Sequence, residues 1–283
     1  MSNVIWYAAL AGISIGIAAY AIYMKRDKYQ FSTYMVFYLF SATITWMGEF
    51  IVLGLFNSYA YKTGVYQNPW AQNLLGHLFL NTSMFPAAAT VMIAYSLKSR
   101  GIVLTAVLFL LVEYIFAELG LYEQHWWNYY MSFFNVIAFM LISRKWFSKM
   151  YEERRGLTRA VTYYFIAFIC IHFPSPILLL ADRQHYKLSF VRNIYNDYYL
   201  SSIIVSFTYH LALCLVFVYF VCILKKWYWK IVPFVTCITV LIIFEKMNIL
   251  IIHNGWKLIY TILLQQISIA IFILIEKFTL RPD

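Results

Sequence analysis

Long apolar stretches alternate with short polar ones along the whole chain. Nine runs lie near 4–24, 33–56, 71–97, 101–122, 126–147, 160–181, 198–224, 231–252 and 256–276. Each has the ~20 residues that an α-helix needs to cross a ~30 Å hydrocarbon core. The pattern predicts an all-α, polytopic integral membrane protein of about nine transmembrane helices. Loops are short, with longer ones at 57–70, 148–159 and 182–197. Tyr and Trp gather where runs end, as at Trp126, Trp127, Tyr129 and Tyr130, or Trp227, Tyr228 and Trp229. Such amphipathic rings favour the headgroup level.

Charge adds an orientation. Sixteen of the 22 Lys and Arg residues fall in five segments, 25–28, 98–100, 144–159, 225–230 and the tail, which alternate with segments holding five; Lys246 sits inside a run. Basic loops stay cytoplasmic, so the N-terminus is expected outside and the C-terminus inside. The first run has no basic residue before it and is followed by Lys25 and Arg26. It is therefore expected to be retained as a helix, although Ala19-Tyr20-Ala21 resembles a cleavage site.

Composition narrows the class. Hydrophobic residues make up 63% and charged residues 12% of the chain, and the mean hydropathy is +0.69. No water-soluble core of this size absorbs so many apolar side chains. The net charge of +10 sits in loops on one predicted side without a groove-reading motif, so the expected partner is the lipid bilayer and not nucleic acid. Cys170, Cys214, Cys222 and Cys237 lie within runs and show no CxxC spacing, so packing is expected of them, and no metal site or cofactor. P-loop, HExxH, dinucleotide-binding and DxxxD motifs are absent, and no catalytic residue is assigned.

The chain also reads as repeating itself. Leu111-Val112-Glu113 resembles Ile243-Phe244-Glu245; Trp126 and Asn135 follow the first, Trp256 and Gln265 the second. Leu97-Lys98 pairs with Leu224-Lys225, and Thr33-Tyr34 with Thr162-Tyr163. The expected organisation is an N-terminal helix at 1–28, a four-helix repeat at 29–150 and a second at 151–283. An even number of helices per copy makes the two parallel, related by an axis along the membrane normal. In the first run Ala8, Gly12 and Gly16 place small residues on one face. That face suits a homo-oligomer or membrane-protein partner, or close packing within the chain, and the latter is the preferred expectation.

Chemistry is sought among ionisable groups inside the runs, because a charge at that depth costs roughly 2.5–3.5 kcal/mol and is usually paired or functional. Glu49, Glu113, Glu118, Glu245, Lys246, His77, His172 and His210 qualify. Asn81 lies one turn from His77, and Asn248 three residues beyond Glu245. The candidates Glu113, Glu245, Glu49, His77, Asn81, Lys246 and Asn248 fall in the predicted outer half, as for a cavity open to the outside. Glu118 is expected to reach toward the interface, and His172 and His210 to be neutral interhelical donors. Pro86, Pro174 and Pro176 should interrupt their helices and free backbone carbonyls.

One resemblance bears on this reading. Val112-Glu113-Tyr114-Ile115, with Gly120-Leu121-Tyr122, Trp126-Trp127 and the later His253-Asn254-Gly255-Trp256, resembles a family of uncharacterised multi-spanning membrane proteins of bacilli and clostridia. The first half carries Gln124-His125-Trp126-Trp127 where the second has the His-Asn-Gly-Trp element. The resemblance implies a polytopic fold in a bacterial cytoplasmic membrane and no particular activity. A fainter likeness, to repeated-helix lycopene cyclases, rests on an acidic residue followed by a Gly-aromatic turn; their Pro-x-Glu-Glu element is missing here.

The leading functional expectation is a transporter-like or ligand-binding protein with an outward-facing polar site between the repeats. There Glu113 and Glu245 bind or relay a cation or proton, assisted by Glu49, His77 and Asn81. The alternatives are a structural or signalling subunit of a membrane complex, and an intramembrane enzyme acting on a lipid or isoprenoid.

Overall fold

The computed structural model describes residues 3–153, 155–224 and 226–280. Two compact units divide the chain at Glu152 and Glu153. The first contains α1 (Val4–Met24), α2 (Phe31–Glu49), β1 (Tyr59–Tyr61), α3 (Pro69–Tyr95), α4 (Ser99–Glu118), β2 (Tyr122–Gln124) and α5 (Tyr129–Glu152). The second contains α6 (Gly156–His172), α7 (Pro174–Leu180), β3 (Gln184–Tyr186), α8 (Ser189–Tyr195), α9 (Tyr198–Val218), α10 (Val232–Lys246), β4 (Leu250–Ile252) and α11 (Leu258–Phe278). The protein is all-α apart from two short ribbons. Among the described residues, eight helical segments are long and apolar enough to cross a membrane. The 24-residue α5 is not one of them, because Asn135, Arg144 and Lys145 lower the mean hydropathy of its apolar stretch.

The helix α1, expected to stand apart as an N-terminal element, packs along α3 and belongs to the first compact unit. It buries Tyr7, Ala11, Ser14, Ala18 and Ala21, a stripe at three- and four-residue spacing whose small side chains admit another backbone. Ala8, Gly12 and Gly16, which were expected to make the close contact within the chain, are exposed instead. A Cβ at either glycine would meet nothing.

Helix ends follow their residues. Asn68 caps α3, its Oδ1 accepting from Trp70 N at 2.8 Å and Ala71 N at 3.1 Å, with Pro69 at the first helical position. Lys28 Nζ donates to the carbonyls of Ile93 and Ala94 at the other end of α3, where the backbone is partially negative. Pro86 does not break this helix as expected. A proline removes one N–H and frees the carbonyl four residues earlier. That carbonyl, of Thr82, accepts the Tyr38 hydroxyl at 2.8 Å. In the second unit the chain does break, between α6 and α7 at Pro174, and Gln265 Nε2 donates to the nearby Ile171 carbonyl at 3.2 Å.

Each unit closes one end with an antiparallel ribbon inside what reads as loop. In the first, Tyr59 faces Gln124 and Tyr61 faces Tyr122; in the second, Gln184 faces Ile252 and Tyr186 faces Leu250. Their surroundings match. Tyr61 N donates to Asn73 Oδ1 at 2.7 Å, and Tyr186 N to Ser202 Oγ at 2.9 Å. Lys62 N reaches Leu121 O, as Lys187 N reaches Ile249 O. Leu121 N returns to Phe116 O and Ile249 N to Phe244 O, across left-handed Gly120 and Asn248. Tyr61 lies so close to α3 that a Cβ on Gly76 would sit 2.5 Å from its side chain.

These caps place Glu245 level with Ala117, and Leu241 level with Glu113. The expected pairing of Glu113 with Glu245 is thus displaced by one helical turn, because apolar residues on both sides of each Glu make the two registers look alike.

In the second unit, Arg159 Nη2 meets Glu276 Oε1 at 2.6 Å and Lys230 Nζ meets Glu276 Oε2 at 3.1 Å. Arg159 Nη1 also donates to Leu280 O at 2.8 Å. Removing one member of a buried charge group strands the others. Glu276→Ala is therefore expected to lower unfolding free energy by about 3–5 kcal/mol. A denaturant titration in micelles that left the midpoint unchanged would contradict this.

Candidate functional site

The first unit encloses a cavity of about 230 Å³ lined by α2, α3, α4, α5 and the ribbon. Glu49 is the last residue of α2, where the helix widens into a π-turn over Phe50–Leu55, a distortion frequent at functional sites. The alternation of a strand puts Tyr59 and Tyr61 on one face of β1, and both phenols reach Glu49. The Tyr59 hydroxyl donates to Oε2 at 2.5 Å and the Tyr61 hydroxyl to Oε1 at 2.9 Å. Burial, and then the Glu49 carboxyl, holds both phenols well above their usual range. They are neutral donors throughout the physiological range.

Asn81, on α3, lines the cavity beside Glu49. Its carbonyl accepts from Thr45 Oγ1 at 2.9 Å, and its Nδ2 lies 3.2 Å from His77 Nδ1. His77 packs against Trp46 at 4.7 Å between ring centroids and stands behind Asn81 without lining the cavity.

Glu113 enters from α4. Gln124 Nε2 donates to its Oε1 at 2.9 Å, and Ser132 and Tyr122 line the cavity beside it. Ser132 Oγ is held by Trp127 Nε1 at 2.8 Å. Two carboxyl groups thus share one cavity, and every partner described for them is neutral. No lysine or arginine is among the lining residues. Much of the remaining wall is apolar, with Phe85, Phe109, Phe139, Ile44 and Met84.

Glu49, Asn81 and Glu113 are therefore brought together, with His77 one contact behind. The remaining candidates are elsewhere. Glu245, Lys246 and Asn248 are exposed residues of the second unit at the end of α10, and Glu118 is exposed on α4. The cavity is built wholly from the first unit, and its ribbon end is closed by buried Tyr59, Tyr61 and Tyr122 where an opening had been expected. The sequence reading missed those three tyrosines together with Gln124 and Ser132. The Tyr59-Ala60-Tyr61 alternation was the available signal, in a segment read as loop.

His172 and His210 hydrogen-bond each other through their Nδ1 atoms at 3.0 Å in the second unit. The His-Asn-Gly-Trp element forms a turn: Asn254 and Gly255 both have positive φ. Asn254 Nδ2 reaches Asp182 Oδ2 at 2.6 Å, and Trp256 Nε1 reaches Thr261 Oγ1 at 3.0 Å. His253 Nε2 lies 2.6 Å from His185 Nδ1, with the rings stacked. Burial, followed by the neighbouring His253, lowers the His185 pKa from 6.5 to about 4.

An unfolded chain binds that proton near pH 6.5 while the folded one does not, so this contribution to stability is complete above pH 6.5 and is lost as pH falls toward 4. Wild-type protein should lose more stability than His185→Gln between pH 7 and pH 5 in parallel unfolding titrations; equal slopes would refute it.

No protein-family model matches the chain, and neither a curated protein nor a solved structure matches it.

Proposed function

We propose that this chain is an integral membrane protein that binds a small cation, or carries a proton, at Glu49 and Glu113, in the manner of a transporter or ligand-binding protein. One observation carries the reading: two carboxyl groups line a single cavity and, among the described residues, are met by neutral hydrogen-bond donors. A carboxylate at low dielectric requires either a proton or an opposite charge. The phenols of Tyr59 and Tyr61 and the amide of Gln124 orient the oxygens without neutralising them. The space between therefore suits a positive charge, and the surrounding aromatic faces add cation–π attraction.

The supporting frame is a protein of nine crossings in a bacterial cytoplasmic membrane, with the N-terminus outside and two four-helix copies after α1. Alternation of the basic segments and the 24-residue length of α5 favour it. The similar ribbon and cap hydrogen bonds of the two units favour duplication. Cysteine introduced at Ser189 in a background lacking the native cysteines should react in intact cells with a membrane-impermeant maleimide, whereas cysteine at Ser148 should react only after lysis. The reverse pattern would invert the orientation.

Radiolabelled methylammonium is a direct probe of the site. Binding to wild-type protein in nanodiscs is expected, with affinity reduced at least about tenfold in Glu49→Gln/Glu113→Gln. Glu245→Gln should bind as wild type. Absence of binding by the wild type, or wild-type affinity in the double variant, would sink the cation reading.

A further inference from the structure

We propose that the ligand of this cavity is a membrane-partitioned amphiphile with a protonated amine head, and that it enters sideways from the lipid between α2 and α5. The proposal rests on Glu49 and Glu113 being the binding carboxyls and goes further by naming the ligand class and its route.

The route follows from which lining residues are exposed. At the ribbon end Tyr59, Tyr61 and Tyr122 are buried. The exposed lining residues are Gly48 on α2 and Asn135, Ala138 and Ile142 on α5. The three on α5 recur at three- and four-residue spacing and share one face. Opposite them, a Cβ built on Gly48 would meet nothing within 4 Å, so α2 presents bare backbone at the mouth. With about 1.5 Å of rise per residue, Asn135 to Ile142 lie about 9–20 Å along the helix from Tyr129. Gly48 lies about 10 Å from Leu55 by the same measure. Those depths fall inside a ~30 Å hydrocarbon core. A molecule using this opening comes from the lipid and not from water.

The chemistry of the ligand follows from the polarity of the cavity. One end offers two carboxyl groups and aromatic faces, where an ammonium group can donate up to three hydrogen bonds and meet ring quadrupoles. The other end offers Phe85, Phe109 and Phe139. At about 230 Å³ the space exceeds the ~150 Å³ cavity that accepts benzene. It holds an amine head and the first part of a chain or ring system, with the remainder passing Gly48 into lipid. A fatty carboxylate of the same shape would bring a third negative group to the two already there.

The test uses the full chain in phosphatidylcholine nanodiscs, with equilibrium binding of decylamine, decanoate and methylammonium corrected for partition into empty discs. Wild-type protein should bind decylamine at least about tenfold more tightly than decanoate. Gly48→Leu and, independently, Ala138→Leu should weaken decylamine by about tenfold. Both should weaken methylammonium far less than decylamine, because no chain then has to pass the mouth; an equal loss for the two ligands would overturn the lateral route. Two mouth variants on different helices, each checked for a wild-type unfolding midpoint, keep the outcome interpretable. Wild-type decylamine affinity in both variants would overturn the lateral route, and equal affinity for decanoate would overturn the amine head. Methylammonium binding that survives Glu49→Gln/Glu113→Gln would instead overturn the underlying reading of the site.

Discussion

A backbone N–H or carbonyl in hydrocarbon has no water to bond, and this constraint organises the irregular parts of the protein. Several departures from plain helix come with a named partner. Tyr38 takes the carbonyl that Pro86 frees, and Gln265 takes one beside the α6–α7 break. Lys28 takes the last carbonyls of α3. The ribbons serve the same need where two helices end together. Strand pairing satisfies the connecting backbone, and Asn73 or Ser202 supplies a bond that the neighbouring strand does not.

The first ribbon also creates the site. Because β1 is a strand, its side chains alternate, so Tyr59 and Tyr61 project together onto Glu49. Because β2 pairs with it in a fixed register, Tyr122 and Gln124 arrive beside Glu113. The second unit handles its buried carboxyl differently. Glu276 lies between Arg159 and Lys230, an arrangement that ties helices together and leaves no room for an external cation. Buried carboxyl groups thus meet neutral donors in the first unit and charged ones in the second.

The likeness around Glu113 and Glu245 is instructive because much of it is local. Both segments end in a helix cap at Gly120 or Asn248 and continue into a strand. Those features alone generate a common pattern of apolar, small and aromatic residues. The hydrogen bonds of the caps set the register, and they align Glu245 with Ala117. Likewise, His253-Asn254-Gly255-Trp256 is explained by a turn with two positive φ values and by side-chain bonds to Asp182 and Thr261.

Membrane-embedded helices were legible in the sequence because run length and hydropathy are properties of neighbouring residues, as in Val4–Met24 or Leu258–Phe278. Glu49, Asn81 and Glu113 stood out too, as polar groups within apolar runs, and they line one cavity. Three matters awaited the tertiary structure: which carboxyls share a cavity, which side of it is open, and which donors hold them. They depend on pairing between Tyr59–Tyr61 and Tyr122–Gln124, segments far apart in the chain and too short to declare themselves as strands. Hydropathy sums along a segment, whereas a binding site is made by contacts between segments.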